Sequence, residues 1–131
     1  MLKVYLGYDR TEHQAYEVAA FSLRRRSSIP VLITPLSEMN PCYNRTWRMN
    51  QDGQRVDAID GKPFSTDFSF ARFLVPVCEK YTGLALFADC DFLFLDDVAK
   101  LADYMNPAYA VCVVKHDHRP VESEKMGGQI Q

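Results

Sequence analysis

The stretch Leu84-Ala85-Leu86-Phe87-Ala88-Asp89-Cys90-Asp91-Phe92-Leu93-Phe94-Leu95-Asp96-Asp97 constrains this chain more than any other. An apolar run of strand length enters Asp89-Cys90-Asp91, and a second apolar run leaves it. Alternate side chains of an extended segment share a side. An extended reading therefore turns Asp89 and Asp91 one way and Cys90 the other. Two carboxylates on one edge among apolar neighbours repel each other and lose hydration unless a cation lies between them. Oxygen ligands alone select a hard divalent ion, magnesium or manganese, and such an ion can be held against a diphosphate. An isolated Asp-x-Asp is common in surface turns. The strand before it is what lends this one weight, because open α/β sheets bind ligands beyond the carboxyl ends of their strands. Asp96-Asp97 reads differently: it precedes Val98-Ala99-Lys100-Leu101 and suits the cap or first turn of a helix.

The rest of the chain alternates between the two periodicities. Val4-Tyr5-Leu6 reads as a strand closed by Gly7-Tyr8-Asp9. Thr11-Glu12-His13-Gln14 matches a capping box, with Thr11 as the cap and Gln14 reaching back. The following helix is apolar at Ala15, Val18, Ala19 and Leu23, with Tyr16, Ala20 and Phe21 widening the stripe; Tyr16 is expected to pack in the core. The helix ends near Ser27, and Arg24-Arg25-Arg26 in its last turn complements the helix dipole. Val31-Leu32-Ile33, between Pro30 and Pro35, completes a βαβ unit. Residues 37–64 carry neither periodicity, only turn signals at Asp52-Gly53 and Asp60-Gly61 and a polar and aromatic set (Tyr43, Asn44, Arg45, Trp47, Arg48). A loop of that length is usually functional or mobile. Ser65 is expected to cap a helix with Phe70, Phe73, Leu74 and Val77 on its core face, kinked at Pro76 and stopped at Gly83. Then follow the strand to Asp89, a short extension over Phe92–Leu95, a helix from about Asp97 to Met105 ended by Asn106-Pro107, and a strand through Ala110–Val114.

This order predicts one α/β domain over residues 1–131. It is Rossmann-like, a largely parallel sheet with helices on both faces, with the strands near Val4, Val31, Leu86 and Val113 in one sheet. A chain of 131 residues with a hydrophobic fraction of 47% suits a single domain with a moderate core. The net charge of −2 argues against a broad nucleic-acid-binding surface. No apolar stretch spans a bilayer, and the amino terminus lacks a signal-peptide profile. The cysteines, Cys42, Cys78, Cys90 and Cys112, show no Cys-x-x-Cys spacing, and most lie in apolar runs. Neither a zinc site nor a disulfide framework is expected, and the chain reads as cytoplasmic.

Ser69-Phe70-Ala71-Arg72-Phe73-Leu74-Val75-Pro76, followed by Leu86-Phe87-Ala88-Asp89-Cys90-Asp91-Phe92-Leu93, resembles the donor half of glycosyltransferases with the nucleotide-diphospho-sugar transferase (GT-A type) fold. It is most similar to family 8, the glycogenin and lipopolysaccharide galactosyltransferase group. The resemblance implies a nucleotide-diphospho-sugar donor, a saccharide or other hydroxyl acceptor, a divalent manganese or magnesium ion, and retention at the anomeric carbon. It implies that Asp89 contacts the ribose and the metal, that Asp91 ligates the metal, and that Arg72 reaches the donor sugar or diphosphate. A planar guanidinium suits phosphate oxygens, although a surface salt bridge accounts for Arg72 equally well. Gly7, Tyr8 and Asp9 would cradle the nucleobase and ribose. Family members continue beyond the region matched here, and their later half supplies the acceptor site and a metal-ligating His; the fold is thus expected to be truncated. His116-Asp117-His118 could substitute for that His, but a solvated strand-end turn is the blander reading.

Two rivals remain open. One is a truncated domain that folds, pairs with another chain or a second copy, or binds nucleotide without turnover; an exposed sheet edge or unfilled core face would favour it. The other, more distant, is a phosphohydrolase of the haloacid dehalogenase type. Its Asp-x-Asp normally opens the chain and is followed by Thr or Val where Leu93 stands here.

Overall fold

A computed structural model describes residues 1–37, 47–115 and 117, together with the strand segments 124–125 and 129–130. In chain order the regular elements are β1 (Leu2–Gly7), a 3₁₀ turn (Arg10–Glu12), α1 (His13–Arg26), β2 (Val31–Leu36), β3 (Trp47–Met49), β4 (Arg55–Asp57), a 3₁₀ helix (Ala71–Leu74) running into α2 (Val75–Cys78), β5 (Ala85–Ala88), a second 3₁₀ helix (Val98–Tyr104), β6 (Glu124–Lys125) and β7 (Gln129–Ile130). The chain is of mixed α/β character, and its sheet is parallel with strand order β2-β1-β5. Leu2 to Gly7 pair with Val31 to Leu36, and Lys3 to Leu6 with Ala85 to Ala88.

β1 is central, which is why Val4, Tyr5 and Leu6 are buried in succession rather than alternately. Val4 and Leu6 face Ala19, Ala20 and Leu23 of α1, with Ala88 and Val98 closing that cluster. Tyr5 and Leu36 face Ala71 and Val75, with Phe87 packed alongside. Helical segments therefore cover both faces. At the carboxyl end of α2 the Tyr5 hydroxyl donates to Glu79 at 2.6 Å, and Lys3 pairs with the same carboxylate.

Several elements depart from the sequence-based expectation. Thr11 does not cap α1. Asp9 caps the preceding 3₁₀ turn by accepting from the Thr11 N–H, and α1 begins only at His13. The buried stripe of α1 is Ala19, Ala20, Ser22 and Leu23, whereas Val18 and Phe21 are 55% and 68% exposed. The sheet offers α1 only a narrow seat, and small side chains let the helix approach it closely. No long helix starts at Ser65. The segment turns tightly instead, burying Phe68, Ala71 and Val75 and leaving Phe73 and Val77 exposed. Pro76 opens α2 rather than kinking it, since the first helical turn needs no N–H there. Lys80 and Tyr81 adopt left-handed backbone (φ 54° and 58°) and, with Gly83 at φ 76°, reverse the chain into β5.

The expected helix after Asp97 is present as the 3₁₀ segment Val98–Tyr104, and Asp97 caps it by accepting from the Ala99 N–H. Asp96 pairs with Lys100 one turn on. The expected strand through Ala110–Val114 is absent: residues 111–115 form no strand, and Val113 is 74% exposed. A β-branched run becomes a strand only where a partner edge accepts its hydrogen bonds, and here those side chains find no seat against either core cluster. The same holds for Phe92–Leu95, where only Phe94 packs against the core.

Within the segment read as loop, β3 and β4 form an antiparallel hairpin. The Asn50 side chain accepts from the Asp52 and Gln54 N–H groups, and Gly53 takes φ 76° at the turn. Cys42, Tyr43, Asn44, Arg45, His116 and His118 lie outside the described residues. Among those described, no helix is long and apolar enough to cross a membrane, and Cys78, Cys90 and Cys112 are free.

Candidate functional site at the carboxyl edge of the sheet

β1 and β5 run parallel with Leu6 beside Ala88, so the chain leaves both strands at one edge. Gly7-Tyr8-Asp9 exits from the first and Asp89-Cys90-Asp91 from the second. β5 ends at Ala88, and Cys90 and Asp91 lie in a turn. Cys90 points inward and is 1% exposed, between a partly exposed Asp89 and an exposed Asp91. Its thiol donates to Glu12 at 3.0 Å. Burial, and then the adjoining Glu12 carboxylate, push the thiol pKa up to about 12. Cys90 is therefore a packing residue and not a nucleophile.

Arg72 belongs to this edge. Its guanidinium lies 5.4 Å from the centroids of both Phe68 and Phe87 and 3.5 Å from the Asp89 carboxylate. Two ring faces hold the planar cation by their quadrupoles. Its Nε is buried and meets no acceptor among the described residues, while the side chain as a whole stays 33% exposed. Phe68 reaches this position because Gly7 has no side chain: a Cβ there would stand 2.7 Å from the Phe68 ring.

Asp9 is 2% exposed and serves inside the protein. Its carboxylate accepts from the Thr11 N–H (2.9 Å) and hydroxyl (2.6 Å), the Arg55 guanidinium (3.0 Å) and the Asp67 N–H (3.0 Å). Burial pushes the carboxyl pKa up, but those hydrogen bonds, led by Thr11, prevail and hold it at about 2. Tyr8 is half-buried, its ring meeting His13 and Tyr16 edge-on at 6.0 and 5.2 Å between centroids. Tyr16 packs against the core cluster under α1, as expected.

Gly7, Tyr8, Asp9, Arg72, Asp89 and Asp91, named from the sequence, thus stand on two neighbouring strand ends and the turn above them. Sequence reasoning missed Arg55, Asp67, Phe68 and Glu12, which hold the edge together. The Asp9-Arg10-Thr11 spacing of a capping aspartate was the one available signal. Among the described residues, no group of three His, Cys, Asp or Glu side chains is placed to hold a metal ion. Asp89 and Asp91 are the two carboxylates that the loop after β5 brings to this edge.

A curated Arabidopsis thaliana protein described as Protein CDI is 41% identical over 130 residues, covering 98% of this chain and 46% of the relative. The chain spans about half the length of that relative. No family model matches the chain, and no solved structure matches it significantly.

Proposed function

We propose that this chain is the donor-binding portion of a metal-dependent glycosyltransferase, transferring a sugar from a nucleotide-diphospho-sugar to a hydroxyl acceptor. The observation that carries the reading is Arg72. It is a partly exposed guanidinium over two aromatic rings, beside Asp89, at the sheet edge from which Asp-x-Asp and Gly7-Tyr8-Asp9 both leave. Asp89 and Asp91 would hold manganese or magnesium, which neutralises charge as the nucleoside diphosphate leaves. Arg72 would bind diphosphate oxygens. The Tyr8 ring and the backbone after Gly7 would border the base and ribose, while the Asp9 carboxylate shapes that turn from within. The resemblance to family 8 supports the same assignment.

Thermal unfolding with manganese chloride, uridine or guanosine diphosphate, or both tests this. Because the diphosphate supplies ligands that two carboxylates lack, metal and nucleotide together should raise the melting temperature by more than the sum of their separate effects. Asp91→Asn should remove most of that gain. Strictly additive shifts, or none, in the parent protein would count against the donor site.

A second reading, a domain that binds nucleotide or a partner without turnover, is favoured by the exposed apolar side chains of Leu93, Leu95, Val111, Val113 and Val114. Hydrolysis or transfer from a nucleotide-sugar by the purified chain would exclude it.

A further inference from the structure

We infer that Arg55 is a positioning residue of the carboxyl edge, a clamp that seats Phe68 and Arg72 against Asp89. The inference rests on the donor-site reading only for the identity of the ligand.

Nη1 of Arg55 donates to the Asp9 carboxylate at 3.0 Å and to the Ser65 carbonyl at 3.3 Å, and it stands 3.0 Å from Asp67 Oδ1 as a charge contact without hydrogen-bond geometry. The guanidinium stands 5.6 Å from the centroid of the Trp47 ring. Arg55 is on β4, Asp9 follows β1, and Ser65 and Asp67 belong to the turn that leads to the Ala71–Leu74 helix. The Val56–Pro63 bridge already joins β4 to the segment before Ser65; the Arg55 cation adds a link from there to Asp9 after β1 and to Asp67 in the turn.

What it ties has a direct consequence for the site. Asp67 also gives its N–H to Asp9 at 3.0 Å, which fixes the backbone immediately before Phe68. Phe68 then lies against Gly7 and, beside Phe87 of β5 with the ring centroids 6.5 Å apart, forms the aromatic floor under the Arg72 guanidinium. The path Arg55–Asp67–Phe68–Arg72–Asp89 is continuous. A shielded charge cluster contributes little net stability but specifies one geometry, because each misplaced partner is left desolvated and unpaired. The turn also has its own bonds, the Ser69 N–H to the Thr66 carbonyl (3.0 Å) and the Thr66 N–H to the Ser69 hydroxyl (3.1 Å), and it buries Phe64 and Phe68; among the charged contacts, those of Arg55 reach across to Asp9. Without Arg55 the Asp9 and Asp67 carboxylates would repel each other, and the turn would swing away from Gly7.

The test reads Arg72 itself. In the parent, the Arg72 Nε–H nuclear magnetic resonance signal should be displaced by the ring currents of Phe68 and Phe87. In Arg55→Gln the part of that displacement owed to Phe68 should be lost, while the Leu23 methyl signals of the opposite core stay in place. Arg55→Lys, which keeps the charge, should retain some of the Phe68 part. Should Arg55→Gln fail to fold, the double variant Arg55→Gln with Asp67→Asn carries no uncompensated Asp67 and must show the same partial loss. A folded variant lacking the Arg55 cation that keeps the parent Arg72 signal overturns the clamp. Calorimetric titration with manganese and uridine diphosphate adds the functional arm: affinity should fall about tenfold in Arg55→Gln. A parent that binds neither sinks the donor-site reading and leaves the resonance test of the clamp intact.

Discussion

Asp9 shows how a single carboxylate can shape a strand end. Four donors converge on it: two from Thr11, one from Arg55 and one from the Asp67 backbone. Its folded pKa of about 2 lies below the ordinary value of 3.8. A lowered carboxyl pKa contributes stability above the unfolded value and loses it as the pH falls through the folded one. The window is therefore from about pH 4 down to pH 2, and the contribution at neutral pH is about 2 kcal/mol. Asp67 works in the opposite sense. Burial, and then the charge of Asp9, raise its pKa, so it favours the folded chain while protonated and loses that contribution as pH rises through its folded value. Urea unfolding at pH 7 and pH 2.5 checks the first of these. Stability should drop between the two by about 2 kcal/mol more in the parent than in Asp9→Asn. Equal pH dependence would show that the Asp9 network is not ionised as described.

At the scale of the element, α1 separates apparent from actual amphipathicity. Leu23 is fully buried against Val4 and Leu6, whereas Phe21, two residues earlier, is largely exposed. Leu23→Ala should cost about 2–5 kcal/mol in urea unfolding, through lost transfer energy and the cavity left behind. Phe21→Gln should fall within about 0.5 kcal/mol of the parent, because that ring has no core to leave. Comparable losses from the two would mean that Phe21 is covered in solution. The turn from Ser65 to Cys78 teaches a related lesson. Its apolar residues admit a helix with Phe70, Phe73, Leu74 and Val77 inward; Phe70 and Leu74 do pack against the core, but Phe73 and Val77 are exposed and the buried set is Phe68, Ala71 and Val75. Pro76 sets where the α-helical turn can begin, and the Gly7 surface sets where Phe68 must go.

For the whole molecule, two apolar clusters on opposite faces of the sheet meet at β1, and both strand ends that carry the candidate site belong to that sheet. The segment 111–115 shares in neither cluster. Replacing Val111 and Val113 together by Ser should reduce binding of the dye ANS to exposed apolar surface and leave the melting temperature unchanged. A fall in melting temperature would place those side chains in the core. The strand–helix–strand order, the inward Cys90 and the cap at Asp97 were legible in the sequence. Each depends on periodicity or on hydrogen bonds between neighbours in the chain. Whether Val111–Val114 finds a strand partner, which side of α1 is covered, and how Arg55 reaches Asp9 and Asp67 depend on groups far apart in sequence. Those outcomes depend on competition for a limited buried surface and for a few shielded cations. Only the tertiary structure decides that competition, because desolvation is set by all the neighbours at once.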